Sequence, residues 1–144
     1  MSELRDIELS LPMQLLQARE AAMAQFRPML RKHGLTEQQW RVLRVLAANR
    51  GVDASELANR CFLLAPSLSR ILQALESEGL IRRATDGEDN RRTLISLTRA
   101  GTSTCKQVGP DAEALYQSIE KRFGSKNLKQ LYQLLTQLSD AIGS

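Results

Sequence analysis

Four polar side chains share one side of a predicted helix that covers about residues 66–77. The apolar residues of this helix follow the i, i+3, i+4, i+7 spacing of a buried face: Leu68, Ile71, Leu72 and Leu75. The opposite face carries two hydroxyls, a guanidinium and an amide: Ser67, Ser69, Arg70 and Gln73. In the DNA major groove arginine pairs with guanine and glutamine with adenine, and a helix N-terminus favours phosphate. We therefore predict that this helix, beginning at Pro66, reads DNA; an ordinary solvated face is the alternative.

A second group of charged residues follows in the stretch DGEDNRR, residues 86–92. It connects two short β-like runs, 80–84 and 93–97, and is therefore predicted to lie in the loop of a β-hairpin. Three acidic residues lie close in sequence to Arg91 and Arg92. A loop that only bound phosphate would not need these acids. We predict that Asp89 braces Arg91 or the loop backbone, so that the arginines can enter a DNA minor groove.

A third pair suggests a small-molecule site. Trp40, the only tryptophan, and Arg44 are four residues apart on a predicted helix and share a face. A flat ring that packs on an aromatic group, with a guanidinium that pairs with its acid, would form a receptor for an aromatic carboxylate. The alternative is a core tryptophan beside a surface arginine.

The rest of the sequence supplies helices around these groups. Apolar periodicity, caps and glycine stops predict helices over residues 11–32, 37–48, 54–59, 66–77, 99–123 and 126–142. Pro28 is expected to kink or break the first helix, and Gly109 and Pro110 to interrupt the fifth. The order α-α-α-α-β-β-α-α describes a mainly α fold with a small β-hairpin wing, a winged helix-turn-helix. The last helix has the leucine spacing of a helix–helix contact.

Composition excludes several classes of protein. The 144 residues fit one domain, with a formal net charge of +4 and 15 arginines among the 20 basic residues. The sequence has no apolar run of membrane-spanning length and no secretion signal, so we expect a cytoplasmic location and no membrane partner. One histidine, His33, and no phosphate-binding glycine loop argue against an enzyme. His33 is expected to act at the C-terminal end of a helix as a charge or a hydrogen-bonding residue. Neither a metal nor a cofactor is expected.

The stretch 57–98, with EGLIRR and DNRRTLISLTRAG, resembles the MarR family of winged helix-turn-helix regulators. Asp89 and Arg91, and the LT-x-x-G pattern from Leu97 to Gly101, match that family's wing. LLQAREAAMAQFRPML and HGLTEQQWRVLRVL are similar to one branch, repressors of hydroxyphenylacetate- or homoprotocatechuate-type aromatic catabolism. The resemblance implies a homodimer that binds a pseudo-palindromic double-stranded DNA operator. Residues 8–34 and 99–144 would dimerise, and 36–98 would form the DNA-binding lobe.

The resemblance also extends the small-molecule site. It implies effector contacts from Trp40, Arg44, Glu37 and Tyr116, with Ser10 contributed near the start of the first helix, and release of DNA by a small aromatic carboxylate. Arg19 is either a buried interface ion-pair partner, which we favour, or a second carboxylate anchor. The sequence departs from close relatives at Ala65, where a basic residue is expected, at Arg70, where a smaller one is expected, and at Pro12, where they can have a polar one.

Two rival functions remain open at this stage. A thiol-based redox regulator of the same fold would use Cys61 or Cys105 as its trigger, and peroxide treatment that leaves DNA binding intact would exclude it. A protein–protein adaptor would use the winged helix without DNA, and would lack the steep salt dependence of DNA binding.

Overall fold

The computed structural model describes residues 4–85, 87 and 92–143. Within these residues a short 3₁₀ turn, Ile7–Leu9, precedes six α-helices and three strands. Their order is α1 Leu11–Lys32, α2 Glu37–Ala48, β1 Val52–Asp53, α3 Ala54–Cys61, α4 Ala65–Ser77, β2 Ile81–Thr85, β3 Thr93–Leu97, α5 Arg99–Phe123 and α6 Ser125–Ile142. The winged helix-turn-helix predicted from the sequence is confirmed, with α3 and α4 as the helix pair and β2–β3 as the hairpin.

The sheet has one strand more than the sequence predicted. β1 pairs antiparallel with β3 and places Val52 opposite Ile95, so the sheet order is β1-β3-β2. A strand of two residues has no periodicity to detect, and its partner lies about forty residues away. The order α-α-α-α-β-β-α-α was therefore wrong in omitting β1.

The breaks predicted at Pro28 and at Gly109 and Pro110 do not occur in α1 and α5, both of which the structure describes throughout. α1 continues through Pro28, and α5 continues through Gly109 and Pro110. A proline removes one i→i−4 hydrogen bond, but the turns on both sides keep theirs. The sequence also placed the start of α4 at Pro66, whereas α4 begins at Ala65 and Pro66 follows within the first turn.

Local signals for helix ends proved accurate. Thr36 and Gln39 form the predicted capping box, in which the Gln39 N–H donates to Thr36 Oγ1 and the Thr36 N–H to Gln39 Oε1, both at 3.1 Å. Gly34, with φ +72°, ends α1 in a Schellman motif whose Leu35 N–H donates to the Leu30 carbonyl at 2.9 Å. These two signals fix the turn from α1 to α2.

The chain divides into two units, Met1–Gly109 and Pro110–Ser144. The core of the first unit contains side chains from α1 to α4, the sheet and the start of α5. Among its fully buried side chains are Leu30, Leu43, Leu57, Leu72, Ile95 and Val108. In the second unit Ala112 and Leu128 are buried. The predicted leucine stripe of α4 is confirmed, because Leu68, Leu72 and Leu75 are each at most 2% exposed.

The LT-x-x-G pattern has a physical explanation in a clamp between the end of α4 and the start of α5. The Thr98 hydroxyl donates to the Gly79 carbonyl at 2.6 Å and accepts the Gly101 N–H at 3.0 Å. The Thr98 N–H donates to the Leu80 carbonyl at 3.1 Å. A Cβ at Gly101 would overlap that same Leu80 carbonyl oxygen. Only glycine lets α5 approach the start of the hairpin this closely.

We expect Gly101→Ala to lower the free energy of unfolding by about 1–3 kcal/mol or more, because backbone atoms must move to admit the methyl group. Gly109→Ala is the matched control, since a Cβ there meets no atom within 4 Å. It should be neutral or stabilise by roughly 0.5–1 kcal/mol through helix propensity. Urea unfolding at one protein concentration measures both variants, and equal stabilities would contradict the clamp.

Candidate nucleic-acid interface and effector site

The outward face of α4 is polar, as its spacing predicts. Ser69, Arg70 and Gln73 are exposed, Pro66 is exposed at the first turn, and Ser67 is half-buried. Among the residues that the structure describes, Arg70 has no hydrogen-bonding or ion-pair partner. An arginine without an internal partner is available to an external acceptor. The role of these five residues on DNA stays a prediction.

The turn between α3 and α4 has an unusual composition. Phe62 adopts the left-handed conformation, with φ 54° and ψ 47°, in a position that commonly holds glycine. Leu64 is the N-cap of α4 and supplies no side-chain hydrogen bond, so the cap of α4 comes from neither Leu64 nor Ala65. Leu63 between them packs against the core, while Phe62 and Leu64 are 89% and 77% exposed.

The described base of the wing contains an arginine braced by an aspartate. Arg92 Nε lies 3.3 Å from Asp53 Oδ2, and Asp53 Oδ1 accepts the Glu56 N–H at 2.8 Å. The hydrogen bond from the Glu56 N–H and the nearby Arg92 charge hold the pKa of Asp53 below its ordinary value. Asp53 therefore has two structural roles. It caps α3 through one carboxylate oxygen and anchors the wing, through Arg92, with the other. The predicted pair of Asp89 and Arg91 lies outside the described residues.

We expect Asp53→Asn to destabilise the protein at pH 7, because the neutral amide loses the attraction of Arg92. Since the pKa of Asp53 is lowered on folding, its charged form stabilises the fold above the ordinary aspartate pKa of about 3.9. This stabilisation is lost as the pH falls through the lowered pKa. Urea unfolding from pH 7 to pH 3 should show the gap between wild type and variant narrowing. Glu56→Gln is a control whose own partner is Arg60, and a gap that stays constant with pH would contradict the assignment.

Trp40 and Arg44 lie one turn apart on α2, as predicted. Trp40 is half-buried and packs against the core, while Arg44 is exposed. No described residue forms an ion pair or hydrogen bond with Arg44. Ser10 is the N-cap of α1, and its side chain makes no capping hydrogen bond. Tyr116 lies on α5 in the second unit, and its place beside Trp40 stays a prediction.

Glu37, the remaining predicted effector contact, is surrounded by arginines. Its Oε1 pairs with Arg41 at 2.7 Å and with Arg19, and its Oε2 pairs with Arg27 at 3.2 Å. Arg27 also forms two hydrogen bonds with Glu20, at 2.8 and 3.2 Å, which lower the pKa of Glu20. We call Arg19, Glu20, Arg27, Glu37 and Arg41 the ion cluster. Arg19 forms its ion pair with Glu37 within the same chain and is 45% exposed there, so both roles left open for it, at a dimer interface or as a carboxylate anchor, stay predictions.

Arg41 is the member of the ion cluster that reaches the helix-turn-helix. Its Nη1 donates to the Cys61 carbonyl at 2.9 Å, at the end of α3. Sequence reasoning missed Arg41, although its i,i+4 spacing from Glu37 was a usable signal. It also missed Arg27, whose partner Glu37 is ten residues away across a turn.

The two cysteines are poorly placed for redox chemistry. Cys61 is buried and Cys105 half-buried, and burial raises the pKa of both thiols. Their Sγ atoms lie 3.9 Å from the Arg41 carbonyl oxygen and 4.0 Å from that of Leu43. Because the thiolate is the form that peroxide oxidises, these environments argue against the redox regulator.

The described residues provide neither a metal-ion site nor a membrane-spanning helix. No group of three or more histidine, cysteine, aspartate or glutamate side chains there could hold a metal ion. No described helix is both long and apolar enough to cross a bilayer. His33 is the C-cap of α1, and its N–H donates to the Leu30 carbonyl at 3.0 Å.

The helix pair α3–α4, its exposed polar face and the adjoining hairpin define a winged-helix DNA-binding regulator of transcription. A family model described as the MarR family matches residues 33–92. The homoprotocatechuate degradative operon repressor of Escherichia coli is 44% identical over 126 residues, covering 88% of this chain and 85% of that protein. The chain belongs to the MarR family. Its relatives are transcription regulators, and it is not an enzyme.

Further relatives support the same assignment. The regulator FarR of Neisseria gonorrhoeae is 41% identical over 133 residues, covering 90% of this chain and 91% of FarR. The structure of NadR in complex with 4-hydroxyphenylacetate superposes with a TM-score of 0.81 at 38% identity, covering 96% of this chain and 97% of NadR. The repressor CouR bound to a 23-mer DNA duplex superposes with a TM-score of 0.86 at 27% identity, covering 96% of this chain and 99% of CouR.

Proposed function

We propose that this protein is a homodimeric repressor of an operon for aromatic-acid catabolism, released from a pseudo-palindromic operator by a small aromatic carboxylate. The observation that carries the proposal is the guanidinium of Arg44, which pairs with no described residue and lies one helical turn from the half-buried Trp40 ring. The similarity to the homoprotocatechuate operon repressor and to NadR with 4-hydroxyphenylacetate supports a phenylacetate-type effector.

α4 and the wing form the proposed DNA interface. The exposed hydroxyl, guanidinium and amide of Ser69, Arg70 and Gln73 suit base edges, and the half-buried Ser67 suits a phosphate near the helix N-terminus. Arg92, held by Asp53, and Arg91 would enter the minor groove beside it. The DNA-bound structure of CouR supports this use of the fold.

Exposed apolar side chains at both ends of the chain support a dimer. Before and within the first half of α1 they are Leu4, Ile7, Leu9, Leu11, Met13, Leu15 and Leu16. At the end of α5 and on α6 they are Phe123, Leu131, Tyr132, Leu134 and Ile142. Apolar surface of this extent is usually covered by a partner. A second copy would place two α4 helices on two half-sites about one helical turn apart.

In the proposed effector site, the acid of the ligand pairs with Arg44 and its ring packs on Trp40. Ser10 contributes a hydroxyl that its helix does not use. Glu37 lies on the same helix as Trp40 and Arg44, and a contact from Tyr116 stays a prediction. Glu37 contributes through its arginines, because three guanidiniums already pair with its two oxygens.

Release of DNA then follows from linkage. A ligand shifts an equilibrium only by binding one conformation of the dimer more tightly than another. The site lies on α2, whose Arg41 contacts the end of α3 through the Cys61 carbonyl. A ligand that moves α2 would therefore alter the position of α4 relative to its half-site.

We expect Arg70→Ala to weaken binding to a duplex that wild-type protein selects from a randomised pool. Loss of a bidentate contact to guanine should cost about 1–3 kcal/mol and relax base preference at one position of each half-site. Fluorescence anisotropy at several salt concentrations measures both effects. Arg122→Ala, which removes an arginine outside the winged lobe, should bind like wild type. An unchanged base preference in Arg70→Ala would contradict this role.

We expect 4-hydroxyphenylacetate to quench Trp40 fluorescence saturably and to release the selected duplex. Arg44→Ala should lose the response, and Arg44→Lys should retain only part of it because lysine cannot pair bidentately. 4-Hydroxyphenylethanol, which lacks the acid, is the matched ligand control and should have little effect. Arg122→Ala again serves as the control variant.

If wild-type protein binds the duplex but does not respond to aromatic acids, the proposed aromatic-carboxylate effector is wrong. The proposed DNA binding would be unaffected by that result. Peroxide treatment of that protein would then test the thiol-based alternative through Cys61 and Cys105.

A further inference from the structure

The turn that leads into α4 contains two residues that are locally unfavourable. Phe62 adopts a left-handed conformation in which its Cβ is crowded, and which glycine adopts without penalty. Leu64 occupies the N-cap, where serine, threonine, aspartate or asparagine would bind a free N–H of the first turn. A residue type that disfavours the backbone conformation it occupies points to a functional constraint at that position.

Packing of the Phe62 and Leu64 side chains within the described chain does not compensate for their unfavourable backbone positions. Leu63, between the two, turns inward against the core, whereas Phe62 and Leu64 are 89% and 77% exposed. Replacing either exposed side chain would therefore remove little buried surface. The two side chains are available to a molecule outside the chain.

The position of Leu64 indicates which molecule this is. It is the N-cap of α4, and the first two residues of the helix, Ala65 and Pro66, are also exposed, so the start of α4 presents an apolar surface. The following turn presents Ser69 and Arg70, and Arg70 pairs with no residue that the structure describes. An apolar protein partner would leave that guanidinium without an acceptor, whereas a polyanion supplies one.

We propose that Leu64 contacts the C5 methyl group of a thymine in the major groove and makes that base a determinant of the operator. This inference rests on the proposed DNA-binding function of α4. The thymine methyl is the one apolar group that base edges present in the major groove, and small apolar side chains recognise it. The first turn of α4 thus reads a methyl group, while Arg70 and Gln73 read polar edges.

The test uses a duplex selected by wild-type protein from a randomised pool. Each thymine of one half-site is replaced in turn by deoxyuridine, which keeps every hydrogen-bonding group and removes only the methyl. We expect one replacement to weaken wild-type binding about fourfold, the effect of one buried methyl group. Leu64→Ala should bind the thymine duplex more weakly and should not distinguish thymine from deoxyuridine at that position.

Leu64→Ser separates recognition from a structural role. Serine restores a favourable N-cap and should raise the melting temperature, so a purely structural Leu64 would give a variant that binds at least as well as wild type. We expect the more stable variant to lose thymine discrimination instead. Leu64→Met, which keeps an apolar side chain of similar size, should retain most of it.

Several results would overturn the proposal. If Leu64→Ala still distinguishes thymine from deoxyuridine, the methyl contact lies on another residue. If only Phe62→Ala loses this discrimination, the contact lies on the Phe62 ring. Wild-type protein that selects a duplex but tolerates every deoxyuridine would also overturn it, while leaving the proposed function intact. Failure of wild type to select any duplex would overturn both.

Discussion

The carboxylate of Glu37 organises the first unit of this protein. It stands in the first turn of α2, where a negative charge also suits the positive end of the helix. Two of its arginine partners, Arg19 and Arg27, lie on α1, and the third, Arg41, reaches the end of α3. One anion thereby connects the long first helix to the helix-turn-helix. The Glu37 side chain is only 18% exposed, which strengthens these charge interactions relative to those at an open surface.

The charges of the ion cluster do not balance. Three arginines face two glutamates, Glu20 and Glu37, so one positive charge remains. An aromatic carboxylate that arrives on the same helix meets a positive local potential, and Arg44 adds to it. This arrangement explains why an acid in the middle of a proposed anion site is compatible with binding an anion. The acid positions the arginines, and the excess guanidinium charge would attract the proposed ligand.

The parts of the fold that the sequence predicted are those determined by neighbouring residues. Helix ends at Thr36 and Gly34, and the buried stripe of α4, depend on spacings of three or four residues. β1, the Asp53–Arg92 pair and the pairing of Arg19 and Arg27 with Glu37 depend on partners from different elements, and no periodicity specifies which charge meets which. The left-handed conformation of Phe62 escaped prediction for another reason, since a bulky residue is seldom placed there. The surface positions of the α4 side chains were predictable because the leucine stripe determines which residues face outward.

The clamp at Thr98, Gly79, Leu80 and Gly101 also has an evolutionary consequence. It fixes the end of α4 and the hairpin through backbone groups and one hydroxyl. Within the described part of the chain, the side chains of Ser69, Arg70 and Gln73 make no hydrogen bonds. Mutations at these outward positions therefore cost the fold little, while mutations in the clamp cost it much. A lineage with this architecture can drift to new operators by changing side chains on a frame that selection keeps constant.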